Sequence, residues 1–106
     1  MSGHRCNDCT PVPEEVRRAA GLLERRWTIS ILYASIEGAE RFNEFLVALG
    51  RVPPATLATR LNDLVEAGLL DRRVLDTRPP AVEYTLTEQG RRLEPVVQEL
   101  VRWCRV

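Results

Sequence analysis

The sequence predicts a single domain that is mainly α-helical and carries one small β-hairpin. Apolar residues recur at helical spacing in several segments, and two β-rich runs flank a loop of Asp, Arg and Pro. The chain has 106 residues, of which 44% are hydrophobic, enough to build one core. Its apolar runs are shorter than the roughly 20 residues of a membrane-spanning helix. We therefore expect a soluble domain with no membrane partner.

The charged residues balance one another. Fifteen arginines accompany fifteen acidic residues, and the net charge is zero. The total charge therefore gives no electrostatic reason to expect nucleic acid binding, and only local clustering of arginines would provide one.

The first residues, 1–13, predict a flexible N-terminal arm, because Cys, Pro, Asn and Asp favour turns. Cys6 and Cys9 form a CxxC with His4 nearby, a pattern that suits half of a metal site or a redox pair. The other ligands of a structural zinc are missing, so no metal site is predicted within one chain, although two arms could share a zinc. A dithiol kept reduced in the cytoplasm is favoured. Without a secretory or transit pattern, the chain is expected to be cytoplasmic.

The folded domain, 14–106, is predicted to begin with two helices. The first, 14–26, has an apolar face that includes Val16 and Leu23. The second, 27–36, leaves little polar surface and is predicted to be the buried centre of the domain. Its apolar residues are Trp27, Ile29, Ile31, Leu32 and Ile36. Stacking of Trp27 on a ligand is the alternative to a core position.

Two further helices, 41–49 and 52–69, are separated by a tight turn at Gly50 and Arg51, which predicts a helix-turn-helix. The second has a buried stripe of Leu57, Leu61, Leu64 and Val65. Pro53 and Pro54 suit its beginning, and Gly68 suits its end. Its remaining face is expected to point outward with Thr56, Thr59, Arg60 and Asp63. A major groove would accept such a face, and an ordinary core helix is the alternative.

The β-rich runs 69–75 and 81–86 predict a hairpin whose proline-containing tip cannot pair, that is, a wing. Arg72, Arg73 and Arg78 place positive charge on it, where phosphates or a minor groove would be met. The alternative is a solvated edge whose charges discourage aggregation.

A last helix, 87–105, is predicted to begin at a Thr87 cap, and Pro95 is expected to bend it or delay its regular start. Its apolar surface includes Val96 and Trp103 and is wider than its own domain can cover. We therefore predict a homodimer built on the first and last helices. The predicted interface consists of Val16, Leu23, Leu93, Val97, Leu100, Val101 and Cys104.

Several motifs, in this order and spacing, resemble the HxlR-type family of bacterial winged helix-turn-helix transcription regulators. They are Arg26-Trp27 followed by Ile31-Leu32; Gly38 with Arg41-Phe42-x-Glu44-Phe45; Leu57-x-x-Arg60-Leu61-x-x-Leu64-x-x-x-Gly68-Leu69; and Pro80-x-Val82-Glu83-Tyr84-x-Leu86-Thr87-x-x-Gly90. The resemblance spans about residues 16–103. It implies a dimeric regulator that binds an inverted repeat in or near a promoter, with the dimer formed by the first and last helices.

The chain departs from the family pattern at two places. Many members have a sensing cysteine just ahead of the first helix, where this chain has Glu14; Cys9 and Cys6 lie earlier in the arm. Redox sensing by Cys6, Cys9 and Cys104 is therefore a hypothesis. Where the family often has Ser and Lys at the front of the recognition helix, this chain has Pro53 and Ala55.

Taken together, the sequence predicts a homodimeric regulator that binds double-stranded DNA, acts as a repressor, has no enzymatic activity and needs no cofactor. An oxidant or a small molecule is the expected effector, which makes a ligand- or metal-gated regulator one variant. The alternative is a protein-interaction module that kept a winged-helix fold and lost DNA binding. The predicted DNA contacts are Arg41, Arg51, Pro54, Ala55, Thr56, Thr59, Arg60, Arg72 and Arg78, with Ala55 on a thymine methyl.

Overall fold

The computed structural model describes residues 10–105 and confirms the predicted fold class, a mainly helical domain with a two-stranded antiparallel hairpin. Most of the predicted arm, including His4, Cys6 and Cys9, lies outside the described residues. The elements in chain order are α1 (Glu14–Leu23), α2 (Thr28–Ile36), α3 (Phe42–Leu49), α4 (Pro54–Glu66), β1 (Leu70–Leu75), β2 (Ala81–Leu86), α5 (Glu88–Arg91) and α6 (Glu94–Arg105).

The hydrophobic core lies where α2, α3, α4 and α6 meet the base of the hairpin. Its fully buried side chains include Ile31, Leu32, Phe45, Leu57, Leu61, Leu64 and Leu70. Trp27 is half-buried against this core, as predicted. The prediction that Ile29 lies in the buried centre is wrong, because Ile29 is 38% exposed, as is Tyr33 one turn later. One side of α2 therefore remains at the surface of the protomer.

The ends of α4 follow from its terminal residues. Pro54 occupies the first helical position, where its missing N–H costs no helical hydrogen bond. At the other end Gly68 has φ +80°, and the N–H groups of Gly68 and Leu69 donate to the carbonyls of Val65 and Leu64. This pairing is a Schellman motif, which satisfies the last carbonyls of the helix and turns the chain into β1.

The hairpin is attached to the helical body on both sides. Leu70 pairs with Leu86 at its buried base, and the register runs outward to the pair of Leu75 and Ala81. On the other edge of β2, the Tyr84 N–H donates to the Glu40 carbonyl at 2.7 Å, next to a bridge between Arg41 and Glu83. The hairpin thus has a fixed orientation relative to the start of α3.

The predicted last helix, 87–105, is divided into α5 and α6. Thr87 caps α5, since its hydroxyl accepts the Gly90 N–H at 3.0 Å and donates to the Gly68 carbonyl at 2.6 Å. Pro95 lies in the first turn of α6, so the predicted delay of the regular helix is confirmed. Gly90 is buried, and a Cβ at this position would lie 2.2 Å from the Leu69 carbonyl oxygen. Only glycine permits this close approach between α5 and the base of the hairpin.

Candidate nucleic-acid interface

The helix-turn-helix consists of α3, a tight turn and α4. The Glu44 carboxylate anchors the start of α3, because it accepts the backbone N–H groups of Glu40 at 2.8 Å and of Arg41 at 2.9 Å. These two hydrogen bonds, with a smaller contribution from the Arg41 charge, hold the pKa of Glu44 below its ordinary value. In the turn, Gly50 has φ +76° and Val52 is 5% exposed, so the turn is pinned to the core.

The outer face of α4 carries short polar and small apolar side chains. Ala55 and Thr59 are exposed as predicted, while Thr56 is half-buried. The Thr59 hydroxyl donates to the Ala55 carbonyl at 3.1 Å, which leaves its lone pairs directed outward. Pro54 is exposed at the start of the helix.

Asn62 also belongs to this face and is not among the predicted DNA contacts. It is exposed, lies three residues after Thr59 and donates from Nδ2 to Glu66 Oε2 at 3.0 Å. The three-residue spacing from Thr59 is the signal that could have identified it. An exposed Asn amide matches the donor and acceptor pattern of adenine in the major groove.

The predicted outward orientation of Arg60 and Asp63 is wrong. The Arg60 guanidinium turns toward the connection between α1 and α2, where Nε donates to the Arg26 carbonyl at 3.0 Å and Nη1 lies 3.4 Å from Asp63 Oδ2. Arg25 Nη1 donates to the same carboxylate oxygen at 2.8 Å. The Arg60 and Asp63 side chains are only 23% and 22% exposed. To contact a base, Arg60 would have to leave both partners.

The connection between α1 and α2 has an unusual backbone conformation at Trp27. Its φ is +79°, in the left-handed region, which costs a non-glycine residue about 1–2 kcal/mol. Arg26 places its guanidinium 5.0 Å from the centre of the Trp27 ring, at cation–π distance. Thr28, the next residue, is 2% exposed. Packing of Trp27 and Thr28 against the core holds the chain in this conformation.

The hairpin presents its arginines to solvent. Arg72 and Arg73 are exposed on β1, and Arg78 is exposed in the tip. Arg73 lies opposite Glu83, which in turn lies opposite Arg41, so these three side chains form a row across neighbouring strand segments. Arg51 is exposed in the turn before α4. Within residues 10–105, these exposed arginines of the turn and hairpin form no ion pair.

The residues predicted to form a dimer interface differ in how much surface they expose. Val16 on α1 is 53% exposed, and Leu100 on α6 is 40% exposed, so both are free for a partner. Leu23 and Leu93 both line a groove of about 440 Å³ between α1 and the segment that contains α5 and its connection to α6. Val97 is 3% exposed and belongs to the core of its own protomer, so it has little surface to offer a second chain.

The most exposed apolar side chains of α6 are Trp103 at 76% and Val96 at 45%. With Leu100 they line a largely apolar surface along one side of the helix, which Glu99 also borders. Val101 is half-buried, and Cys104 is an exposed free thiol. Cys104 also lines a groove of about 660 Å³ between α2 and α6, next to Ile29 and Tyr33.

The described part of the chain has the features of neither a metal centre nor a membrane-spanning protein. Residues 10–105 contain no group of three or more His, Cys, Asp or Glu side chains that could hold a metal ion. In the same range no helix is long and apolar enough to cross a membrane.

Comparison with known proteins agrees with this architecture. The family model for HxlR-like helix-turn-helix proteins matches residues 22–106. An uncharacterized HTH-type transcriptional regulator of Bacillus subtilis, YvaP, is 33% identical over 82% of this chain and 81% of its own. YodB, an HTH-type transcriptional regulator of the same organism, is 35% identical over 85% of this chain and 80% of its own.

Solved structures give the same result. The crystal structure of diamide-treated YodB superposes with a TM-score of 0.75 and 32% identity, covering 91% of this chain and 95% of YodB. The redox regulator HypR in its reduced form superposes with a TM-score of 0.78 and 35% identity, covering 84% and 88%. The protein is thus a winged helix-turn-helix, DNA-binding transcription regulator that belongs to the HxlR-like family.

Proposed function

We propose that this protein is a homodimeric repressor that binds an inverted-repeat operator and is regulated by thiol oxidation. The observation that carries the proposal is the exposed polar face of α4, with exposed arginines both in the turn before it and on the hairpin after it. Short polar side chains suit base edges, and arginines suit phosphates. Local clustering of this kind provides the electrostatic attraction that the zero net charge does not.

Direct readout in this proposal depends on Thr59 and Asn62, with Ala55 against a thymine methyl. Phosphates or the adjacent minor groove are contacted by Arg51, Arg72 and Arg78. Arg41, just before α3, adds a further positive charge toward the phosphates. Pro54 and Thr56 lie at the front of the helix, where the backbone approaches DNA. The face has few long side chains, so we infer that much of the affinity comes from phosphate contacts and depends on salt.

The apolar surface of α6 supports the homodimer. Trp103, Val96 and Leu100 leave an exposed apolar strip on a protomer that has already formed its own core. Val16 on α1 adds to the apolar surface that a second copy would cover. A two-fold dimer of this kind presents two copies of α4 to half-sites that are related by the same symmetry. Such a repressor acts on the chromosome, so we place it in the cytoplasm.

Thiol regulation is supported by the exposed Cys104 on α6 and by the arm, whose Cys6 and Cys9 lie outside the described residues. It is also supported by relatives whose structures are named as a redox regulator and as a diamide-treated form. Diamide oxidises two thiols to a disulfide and takes up the two electrons and two protons that they release. The new bond would link Cys6 to Cys9 within the arm, the arm to α6, or one α6 to another. The last two of these bonds involve α6. Because α6 carries the proposed dimer surface, such a bond would alter the placement of α4.

The decisive experiment selects operators from random double-stranded DNA with the purified, reduced protein. Binding of the selected DNA, of the DNA upstream of its own gene and of random DNA is then compared at two salt concentrations by fluorescence anisotropy. Preference for an inverted repeat, with binding that weakens as salt increases, is the expected result. Absence of binding to any DNA at low salt would instead favour the interaction module.

Diamide treatment tests the sensor separately. We expect oxidation to change operator affinity in the wild-type protein and to leave the triple variant of Cys6, Cys9 and Cys104 to Ser unchanged. The single change Cys104→Ser identifies whether α6 takes part. An operator affinity that is unaffected by diamide in the wild-type protein would reject thiol regulation while leaving DNA binding intact.

A further inference from the structure

We propose that Arg60 and Asp63 are positioning residues, which clamp the connection between α1 and α2 onto α4 and thereby set the spacing of half-sites that the dimer accepts. This inference rests on the proposed homodimeric DNA binding. It assigns to Arg60 a role different from the base contact expected from its position on α4.

The clamp contacts two consecutive residues of the connection, Arg25 and Arg26. Arg60 Nε donates a hydrogen bond to the Arg26 carbonyl at 3.0 Å, and Arg25 Nη1 donates one to Asp63 Oδ2 at 2.8 Å. Arg60 Nη1 lies 3.4 Å from the same Asp63 oxygen, which ties the two holding groups together. A backbone carbonyl and a guanidinium of consecutive residues, 25 and 26, are therefore both attached to one turn of α4.

The connection itself has little freedom to adapt. Trp27 has φ +79° and packs against the core, and the buried Thr28 starts α2 directly after it. The Thr28 N–H donates to the Arg25 carbonyl at 3.1 Å, so residues 25–28 form a closed turn. Because this turn is rigid, the place where it is attached to α4 determines the position of α1, the helix that precedes it.

The helix that precedes the connection, α1, depends on this attachment because it is weakly packed. It has no buried residue, and only its last residues, Leu22 and Leu23, pack against the core. Because a surface helix with so few buried contacts is weakly fixed by packing, its orientation depends on the contacts at the end that joins it to the domain. The clamp holds that end, next to a crevice that Gly21 and Leu22 share with Asp63 and Glu66.

Half-site spacing follows from this geometry in the proposed dimer. One copy of α1 contributes to the dimer surface, and α4 of the same protomer enters the major groove. Each additional base pair between half-sites moves one of them by about 3.4 Å along the DNA and rotates it by about 35°. A dimer whose α1 and α4 are rigidly connected should bind an operator with an altered spacer more weakly, whereas a dimer with a loosened connection should lose less affinity.

The test compares the selected operator with versions whose spacer is longer or shorter by a single base pair. Wild-type protein is expected to bind both altered operators more weakly than the original. Arg60→Gln and Asp63→Asn are each expected to reduce this discrimination by roughly 3- to 10-fold while keeping the same preferred bases within each half-site. Arg51→Gln is the matched control: as a phosphate contact, it should weaken binding to all three operators equally.

Three outcomes would overturn the proposal. If Arg60→Gln relaxes the preference at one base pair and keeps the spacing preference, Arg60 reads a base. If the variants change neither the base preference nor the spacer preference, or if the wild-type protein binds all three spacers equally, the clamp does not set the half-site spacing. If Arg60→Gln fails to fold by circular dichroism, Asp63→Asn and Arg25→Gln decide the question by the same criterion. A wild-type protein that selects no DNA would refute the proposed function together with the clamp, whereas a protein that selects an operator but ignores its spacer would refute the clamp alone.

Discussion

Trp103 provides the sharpest test of the proposed dimer. Its side chain is 76% exposed on the protomer, although an aromatic side chain of this size usually buries 150–250 Å² in a folded protein or interface. About 110–190 Å² of each Trp103 is therefore free to be covered by a partner, which corresponds to roughly 3–5 kcal/mol per protomer at about 25 cal/mol per Å². Ordering of side chains and incomplete coverage reduce that value.

We expect Trp103→Gln to weaken dimerisation by at least about 2 kcal/mol, or roughly 30-fold in Kd. Because three quarters of the side chain is already in solvent, the folded protomer should lose little stability, and its circular dichroism spectrum should be unchanged. Sedimentation equilibrium on the reduced protein over a dilution series measures the Kd. Val74→Gln is the matched control, since it replaces an apolar side chain that is 58% exposed on the hairpin.

Two results would refute this reasoning. One is a Trp103→Gln dimer as tight as that of the wild-type protein, which would place the interface elsewhere. The other is a wild-type protein that remains monomeric both alone and on its operator. Equal weakening by Val74→Gln would show that any exposed apolar side chain promotes association, and the α6 surface would then not be specific.

The remaining predictions concern DNA readout and stability. Asn62→Ala should cost about 1–3 kcal/mol at the operator and relax the preference at one base pair, as measured by anisotropy on single-base variants; a uniform loss on all sequences would contradict base readout. Arg78→Ala should reduce the slope of log K against log salt by about 1, and Arg91→Ala, which changes an exposed arginine of α5, should leave the slope unchanged. Gly90→Ala should destabilise the domain by at least about 2 kcal/mol, because its Cβ would meet the Leu69 carbonyl oxygen at 2.2 Å; Gly21→Ala, whose Cβ meets no atom within 4 Å, should stabilise it by roughly 0.5–1 kcal/mol. The two melting temperatures should thus move in opposite directions, and a shift in the same direction would be inconsistent with the backbone contact. Glu44→Gln should lower the melting temperature at neutral pH, because the charged carboxylate holds the start of α3. Since the pKa of Glu44 is lowered on folding, its contribution is complete above the ordinary value of 4.5 and is lost as pH falls below it, so the wild-type and variant curves should converge in acid.

Periodicity predicted the fold better than it predicted the direction of individual side chains. The buried stripe of Leu57, Leu61 and Leu64 is predictable because apolar residues spaced three or four positions apart, among polar ones, lie on one face of a helix. In α2 nearly every residue is apolar, so periodicity carries no information about which side is buried. The sequence pattern therefore predicts a core position for Ile29, whereas the residue lies at the surface.

Arg60 shows why the candidate site was harder to predict than the fold. A helix turns by about 100° per residue, so Arg60, one position before the buried Leu61, lies at the edge of the stripe rather than opposite it. From that edge a long side chain can turn either way, and its direction depends on available partners. Its partner is the Arg26 carbonyl, 34 positions away in the sequence, which no local pattern reveals.

The arginines of this chain differ in their surroundings, which the amino-acid composition does not reveal. Arg60 and Arg25 lie beside Asp63, and there each guanidinium satisfies a carbonyl or a carboxylate within the protomer. Arg51 and Arg78 lie in a turn and a hairpin tip and form no ion pair within residues 10–105, so their charge is directed at solvent. A neutral chain can therefore attract a polyanion when its acidic residues neutralise the structural arginines and leave those of one surface free. For the same reason, the salt dependence of binding should report the free arginines of that surface and not the fifteen in the sequence.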